Sequence, residues 1–307
     1  MLRCESRETG RLPPRKAFLE VIVDDTSITP ALSGLCAGYE LGEWRSKQLS
    51  RRLFDDVVDF ALSYSERAEI TTETAMEMVT RAVKKVYSTD KYHRRGEFGE
   101  LLLHVALREV FNTQVAVSKI YFKDASNDTV KGFDAVHVVE TADDKLELWL
   151  GEVKFYNKLA PAIRDVVQEL HDHVDADYLR SEFLAIEGKI DPSWKHSQTL
   201  QQMIHQNVSL DDVFDNITIP VMLTYDSRVV NERVVELAAN PTASPNDTLE
   251  AYREKFEAEV RDGWDRFVAA GLPARVRIRL ILVPLHIKSV LIAALHERLK
   301  SWQQATA

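Results

Sequence analysis

Apolar residues recur at helical spacing twice in the first third of the chain. One run covers 44–65 through Leu49, Leu53, Phe54, Val57, Val58, Phe60 and Ala61; the other covers 72–86 through Ala75, Met78, Val79, Ala82, Val83 and Val86. Ahead of them, residues 1–40 carry one apolar segment, 17–23, of strand length. After Gly96 the pattern predicts a helix over 97–111, then strands over 115–122, 133–139 and 146–155 joined by the turn-like stretches SNDTVKG and TADDK. Pro161 suits the first turn of the next helix, 219–225 reads as a strand, 248–270 as a long helix, 275–282 as a strand, and the residues after Ile287 as a closing helix. The sum is an α/β chain of the α+β kind: a mixed sheet flanked by helices over 91–307, preceded by a mainly helical section, 1–90.

Composition narrows the class. With 307 residues and 45% hydrophobic residues the chain can bury a substantial core. The longest apolar run, 278–285, is interrupted by Arg279 and Pro284 and falls far short of the roughly 20 residues that cross a bilayer. The first residues, MLRCESRETGRLPPRK, contain no apolar signal core, so a cytoplasmic protein with no membrane contact is expected. Two cysteines, Cys4 and Cys36, in no C-x-x-C pair argue against a disulfide framework or a structural zinc site. A metal here would be held by oxygen. The net charge of −9 disfavours non-specific DNA binding, but it is uneven. Residues 44–95 are mildly basic (Arg51, Arg52, Lys84, Lys85, Arg94, Arg95), whereas 140–266 hold roughly twice as many acids as bases.

The chemistry concentrates in GEVKFY, 151–156. Residues two apart on a strand share a face, so Glu152 and Lys154 project together, in line with Leu146, Leu148 and Leu150. Any lone E-x-K is usually a solvated pair at a strand end. In KGFDAVHVVE, however, Asp134 opens a second strand, sharing its face with Val136 and Val138, and the short connection can bring it beside Glu152. Two carboxylates on one face repel unless a cation joins them, and an all-oxygen set suits Mg²⁺ or Mn²⁺. On the preceding helix Glu97, Glu100, His104 and Arg108 form a narrow polar sector, which is either the one exposed face or the wall of a polar site. The wheel neighbours Leu103 and Leu107 favour Glu100 over Glu97 as the residue facing the sheet.

A helix glutamate, a strand-leading Asp and a following E-x-K resemble the PD-(D/E)xK nuclease superfamily, here Glu97 or Glu100, Asp134 and Glu152-Val153-Lys154. GEFGELLLH, KGFDAVHV and GEVKFY in this order are similar to the HamA family, the nuclease subunits of the Hachiman anti-phage defence system, over about residues 90–290. Asp134 follows Gly132 and Phe133 where the superfamily pattern has a proline. The resemblance implies a restriction-endonuclease-like core, a Mg²⁺-dependent deoxyribonuclease, and a partner helicase subunit (HamB-like) encoded with it. It implies metal ligation by Asp134, Glu152 and the Val153 carbonyl, with Lys154 orienting the attacking water or stabilising the transition state, and with Glu97 or Glu100, Glu100 favoured, holding an outer water or a second ion. Gln168 matches the place where some members carry a glutamine on the next helix, but helical spacing reads it as exposed.

Other motifs are weak. His171 and His173 lie two apart on a predicted helix and so diverge, which reads as a solvated acidic helix. There is no G-x-x-x-x-G-K-[ST] phosphate loop and no G-x-S-x-G elbow. Trp149 and Phe155, on the opposite strand face from Glu152, read as core. The rival to a nuclease is a silent scaffold of the same fold that keeps these charges as a structural cluster and binds a partner protein.

Overall fold

The computed structural model describes residues 17–86, 96–118, 132–141, 145–239 and 248–305. It opens with β1 (Glu20–Asp25), β2 (Ala31–Cys36) and the small hairpin β3 (Tyr39–Glu40) and β4 (Glu43–Trp44). Helices α1 (Ser46–Asp55), α2 (Val57–Ala61), α3 (Tyr64–Ala68), α4 (Ala75–Lys85) and α5 (Glu97–Phe111) follow. Then come β5 (Gln114–Val117), β6 (Ala135–Glu140), β7 (Leu146–Phe155), α6 (Leu159–His173), α7 (Ala176–Glu187), α8 (Ser197–Ile204) and α9 (Leu210–Phe214). The chain closes with β8 (Ile217–Asp226), α10 (Arg228–Ala239), α11 (Leu249–Ala269), β9 (Arg277–Leu285) and α12 (Lys288–Ala305).

Seven strands form one mixed sheet in the order β1-β2-β9-β8-β7-β6-β5. The central strands β7, β8 and β9 run parallel, whereas β6 pairs antiparallel with both β7 and β5. Helices cover both faces, so β8 is buried from Ile217 to Tyr225 and β9 from Leu280 to Leu285. The expected mixed α/β class is therefore observed. No helix among the described residues is long and apolar enough to cross a membrane.

The position of β7 between two helices sets up the site. α5 lies on the face of Gly151, Val153 and Phe155, and it comes so close that only hydrogen fits at two of the contacts. A Cβ on Gly99 would stand 2.7 Å from the Phe155 Cβ, and one on Gly151 would stand 2.9 Å from Leu103 Cδ2. The even-numbered residues of β7 face the other way, towards α6.

Several expectations change. The helix expected over 44–65 breaks after Asp55 and again at Leu62, which is extended, and Ser63 then starts α3 with a reciprocal capping box to Glu66. β1 and β2 come from the section expected to be mainly helical, yet they join the main sheet, with β2 parallel to β9 through Ala31–Arg279 to Gly34–Leu282. A pairing between positions so far apart leaves no local signature. Part of the basic stretch is paired within the fold: Arg52 with Asp56 and Glu109, Arg67 with Asp59, and Lys85 with Glu66, whereas Arg51 and Lys84 are exposed. Arg94, Arg95, Cys4, positions 119–122 of an expected strand and most of SNDTVKG lie outside the described residues.

Candidate active site

The β6–β7 register ends with Ala135 opposite Gly151, and just before it the Asp134 N–H donates to the Gly151 carbonyl at 2.7 Å, out of the regular register. The Asp134 carboxylate lies near enough to act on Lys154, as Glu152 does. Past this point β6 leaves the sheet. Asp134 Oδ2 takes over the role of a strand partner by accepting from the Val153 N–H at 2.9 Å. Because the N–H and C=O of one strand residue point to the same side, the Val153 carbonyl lies on that same open edge. Glu152 and Lys154 share a face of β7, and the Asp134 carboxylate lies close to them.

That face meets α6 in a ladder of three rungs. Tyr156 OH donates to Asp165 Oδ2 at 3.1 Å, the Lys154 ammonium donates to Glu169, and Glu152 Oε1 lies 2.8 Å from His173 Nδ1. Four helical residues rise about 6 Å and two strand residues about 6.6 Å, so the i, i+4 line on α6 keeps step with the i, i+2 line on β7. Glu152 is 2% exposed. Burial alone would lower the Lys154 pKa, but Glu169, with Glu152 and Asp134 behind it, raises it above the ordinary lysine value. Lys154 is therefore an ammonium at neutral pH. Burial lowers His173 below the ordinary histidine value, against the opposing pull of Glu169, Glu182 and Asp134. The His173 ring stacks on Tyr178 at 4.5 Å and 14°, with Phe133 edge-on at 4.9 Å.

A model of the HamA family matches residues 15–299. The chain belongs to the HamA family. That membership covers nearly the whole chain and supports a component of the Hachiman defence system. A search of curated proteins finds no match.

Within this HamA-family chain, other sequence-predicted residues fall elsewhere. Glu100 is buried and Glu97 half-buried on the first turn of α5, which packs on the opposite face of β7 from Glu152 and Lys154. A carboxylate from that helix can approach the pair only around the open edge beyond Asp134. Gln168 is exposed and donates to Asp172, in keeping with its place off the apolar stripe. His171 and His173 diverge as expected, His171 bonding the Gly271 carbonyl at the surface. His173, however, is not solvated: it is buried against Glu152. Glu169 and His173 were the residues that sequence reasoning missed. Their signal was the polar line Asp165, Glu169, His173 at four-residue spacing, bordering the apolar stripe of α6 and matching Tyr156, Lys154 and Glu152.

The donor set fits a hard divalent cation. Among the described residues, no three His, Cys, Asp or Glu side chains form a ready cage for a metal ion. Two carboxylates and a main-chain carbonyl on an open strand edge suit an ion that keeps several of its waters, as Mg²⁺ does.

Proposed function

We propose that this chain is the metal-dependent deoxyribonuclease of its defence system and acts with a helicase partner. The observation that carries the reading is the closeness of the Asp134 and Glu152 carboxylates to the Lys154 ammonium, with Asp134 Oδ2 bonded to the Val153 N–H. Asp134, Glu152 and the Val153 carbonyl would hold Mg²⁺ or Mn²⁺, which supplies hydroxide near neutral pH and offsets charge on the phosphate. Asp134 is fixed for this role by its bond to the Val153 N–H, which prevents the carboxylate from swinging away. Lys154 keeps its proton, so it works as a point charge and donor to a phosphate oxygen rather than as a base. Glu100, buried at the first turn of α5, would come around the open edge to hold a water of the cation; Glu97 is the more solvated of the two.

The net charge of −9 disfavours a grip on DNA, which is why a partner is part of the reading. The ladder to α6 favours one rival, a silent scaffold whose charges are mutually satisfied. The experiment is DNA degradation by the purified chain, alone and with the helicase encoded beside it, in Mg²⁺, in chelator, and with Lys154→Ala. A nuclease cleaves only with metal, loses cleavage but not its fold in Lys154→Ala, and gains from the helicase. A scaffold cleaves under no condition and unfolds when Lys154 is removed. Cleavage undiminished in chelator rejects the metal chemistry, and equal cleavage with and without the helicase, with no complex in gel filtration, rejects the partner.

A further inference from the structure

The hairpin of β3 and β4 breaks local rules at its tip. Tyr39 pairs with Trp44 and Glu40 with Glu43, which leaves Leu41 and Gly42 as a two-residue loop. Both have positive φ, 51° and 82°, as a type I′ turn requires. Gly42 suits its place, but the position before it favours Asn, Asp or Gly, and a bulky side chain there strains the backbone. Leu41 occupies it and is 99% exposed. Glu40 and Glu43, both exposed, stand directly opposite each other, and like charges in that relation repel. Gln48 donates to Glu40 but brings no positive charge. Neither the leucine nor the two glutamates stabilise the turn that carries them, and conflicts of this kind gather at functional positions.

The hairpin is firmly seated all the same. Trp44 is buried, and Tyr39 OH donates to the Val230 carbonyl of α10 at 3.3 Å while its ring packs edge to face on Tyr252 of α11 at 5.5 Å. A Cβ on Gly42 would stand 3.9 Å from Leu237, and the end of α10 around that residue exposes Val235, Ala238 and Ala239. The tip is thus a fixed apolar knob beside a short apolar strip, edged by carboxylates.

We propose that Leu41 anchors a protein–protein interface whose occupant is the DNA-translocating partner, which receives it in an apolar pocket edged by Lys or Arg. The inference rests on the reading that the chain acts with such a partner. A protein that grips phosphates carries Lys and Arg on its surface, and this chain, with its net charge of −9, offers the complementary sign. Glu40 and Glu43 lie where a cation from the partner would relieve their repulsion. A hairpin already fixed in place loses little conformational freedom on docking, so one leucine buried there counts for more than it would on a loose loop.

The test sets binding against stability. The full chain and its variants are titrated against the purified helicase encoded beside it, by surface plasmon resonance at low and physiological salt, and each variant is melted. Leu41→Asn places there a residue that a type I′ turn favours. Its melting temperature should equal or exceed that of wild type while the complex weakens about tenfold or more. Glu43→Lys turns a repelling pair into an attracting one, so it too should melt no lower, and it should slow association most at low salt. A lower melting temperature in Leu41→Asn overturns the inference, because the leucine then serves the fold. Wild-type affinity in Leu41→Asn overturns it as well and leaves the partner reading standing. A dimer of the chain alone that Leu41→Asn dissolves, with helicase binding unchanged, assigns the knob to a second copy and overturns the occupant. If the wild-type chain binds no helicase, the partner reading falls and takes the inference with it, while the metal-dependent cleavage is untouched.

Discussion

Lys154 reaches across from β7 to Glu169 on α6, and the two side chains form an ion pair with Glu152 and Asp134 close behind the ammonium. The pair keeps Lys154 charged, but Glu169 is the more dispensable member. It is 40% exposed, so its attraction is screened and its contribution to stability is within about 1 kcal/mol. Glu169→Gln should stay folded and keep cleavage within about tenfold, because Asp134 and Glu152 still hold the charge on Lys154. Lys154→Ala should lose about a hundredfold or more, the usual cost of removing a charge aimed at a reacting oxyanion. Rates for the two variants alongside their melting curves check this; equal losses in both would mean that the pair, not Lys154, matters.

Asp134 has two separable jobs, because its carboxylate both accepts from the Val153 N–H and, with Glu152, acts on the Lys154 charge. Asp134→Asn keeps an acceptor for that N–H and removes the charge. It should fold with an unchanged or higher melting temperature and neither bind Mn²⁺ nor cleave. Asp134→Ala leaves the N–H without its acceptor and should cost about 1–3 kcal/mol besides. Denaturant melts of both variants decide it: equal stability would show that the bond to Val153 carries no weight.

Much of this geometry was legible because it is local. The alternation of Leu146, Leu148, Leu150, Glu152 and Lys154 sets the face that Glu152 and Lys154 share, and a short hairpin sets the register that leads β6 back to Ala135, beside Asp134. The residues that were missed are those brought in from outside that hairpin. His173 sits in an acidic, histidine-rich stretch that looks solvated, and only the packing of α6 on β7 shows that its ring is buried while His171, two residues earlier, is at the surface. Glu100 is buried as its wheel position predicts, but a helical wheel says which residue faces inward, not which side of a sheet it faces. β2 likewise finds β9 across most of the chain, a choice made by the whole sheet.

The contact of α5 with β7 is close enough to predict a steric variant. At Gly99 an added methyl would stand 2.7 Å from the Phe155 Cβ and 3.4 Å from Val153 Cγ2, atoms fixed to the strand that carries Glu152 and Lys154. Gly99→Ala gains helix propensity but must push α5 off the sheet, and overpacking of this kind costs about 1–3 kcal/mol. A lower melting temperature with reduced cleavage is expected. A melting temperature equal to or above wild type would mean that the helix is not seated as closely as described.

Acid should weaken the fold from an unexpected place, the face of the sheet away from the site. His104 on α5 and His137 on β6 pack edge to face at 5.3 Å, both buried, with His137 Nδ1 2.6 Å from Thr113 Oγ1. Burial, with Arg108 and Arg67 adding to it, holds His137 down to about 3, and burial followed by the neighbouring His137 holds His104 well below its ordinary value. Both rings are therefore neutral in the folded chain, while in the unfolded chain each takes up a proton as pH falls below 6.5. Groups with depressed folded values stabilise fully above the unfolded pKa, and that stability is lost progressively on acidification, for His137 down to about pH 3. Each ring contributes a slope of about 1.4 kcal/mol per pH unit at full effect. His173, also lowered, adds in the same direction. Carboxylates that the fold holds low, such as Glu140 at about 2, act only nearer their own range, so the interval from pH 6.5 to 5 isolates the histidines. Urea denaturation at pH 7.5, 6 and 5 should show unfolding free energy falling across that interval, and His137→Gln, which cannot titrate, should flatten the decline. Stability that holds level to pH 5, or a slope that His137→Gln leaves unchanged, would show that the buried pair takes no part in the acid sensitivity of the fold.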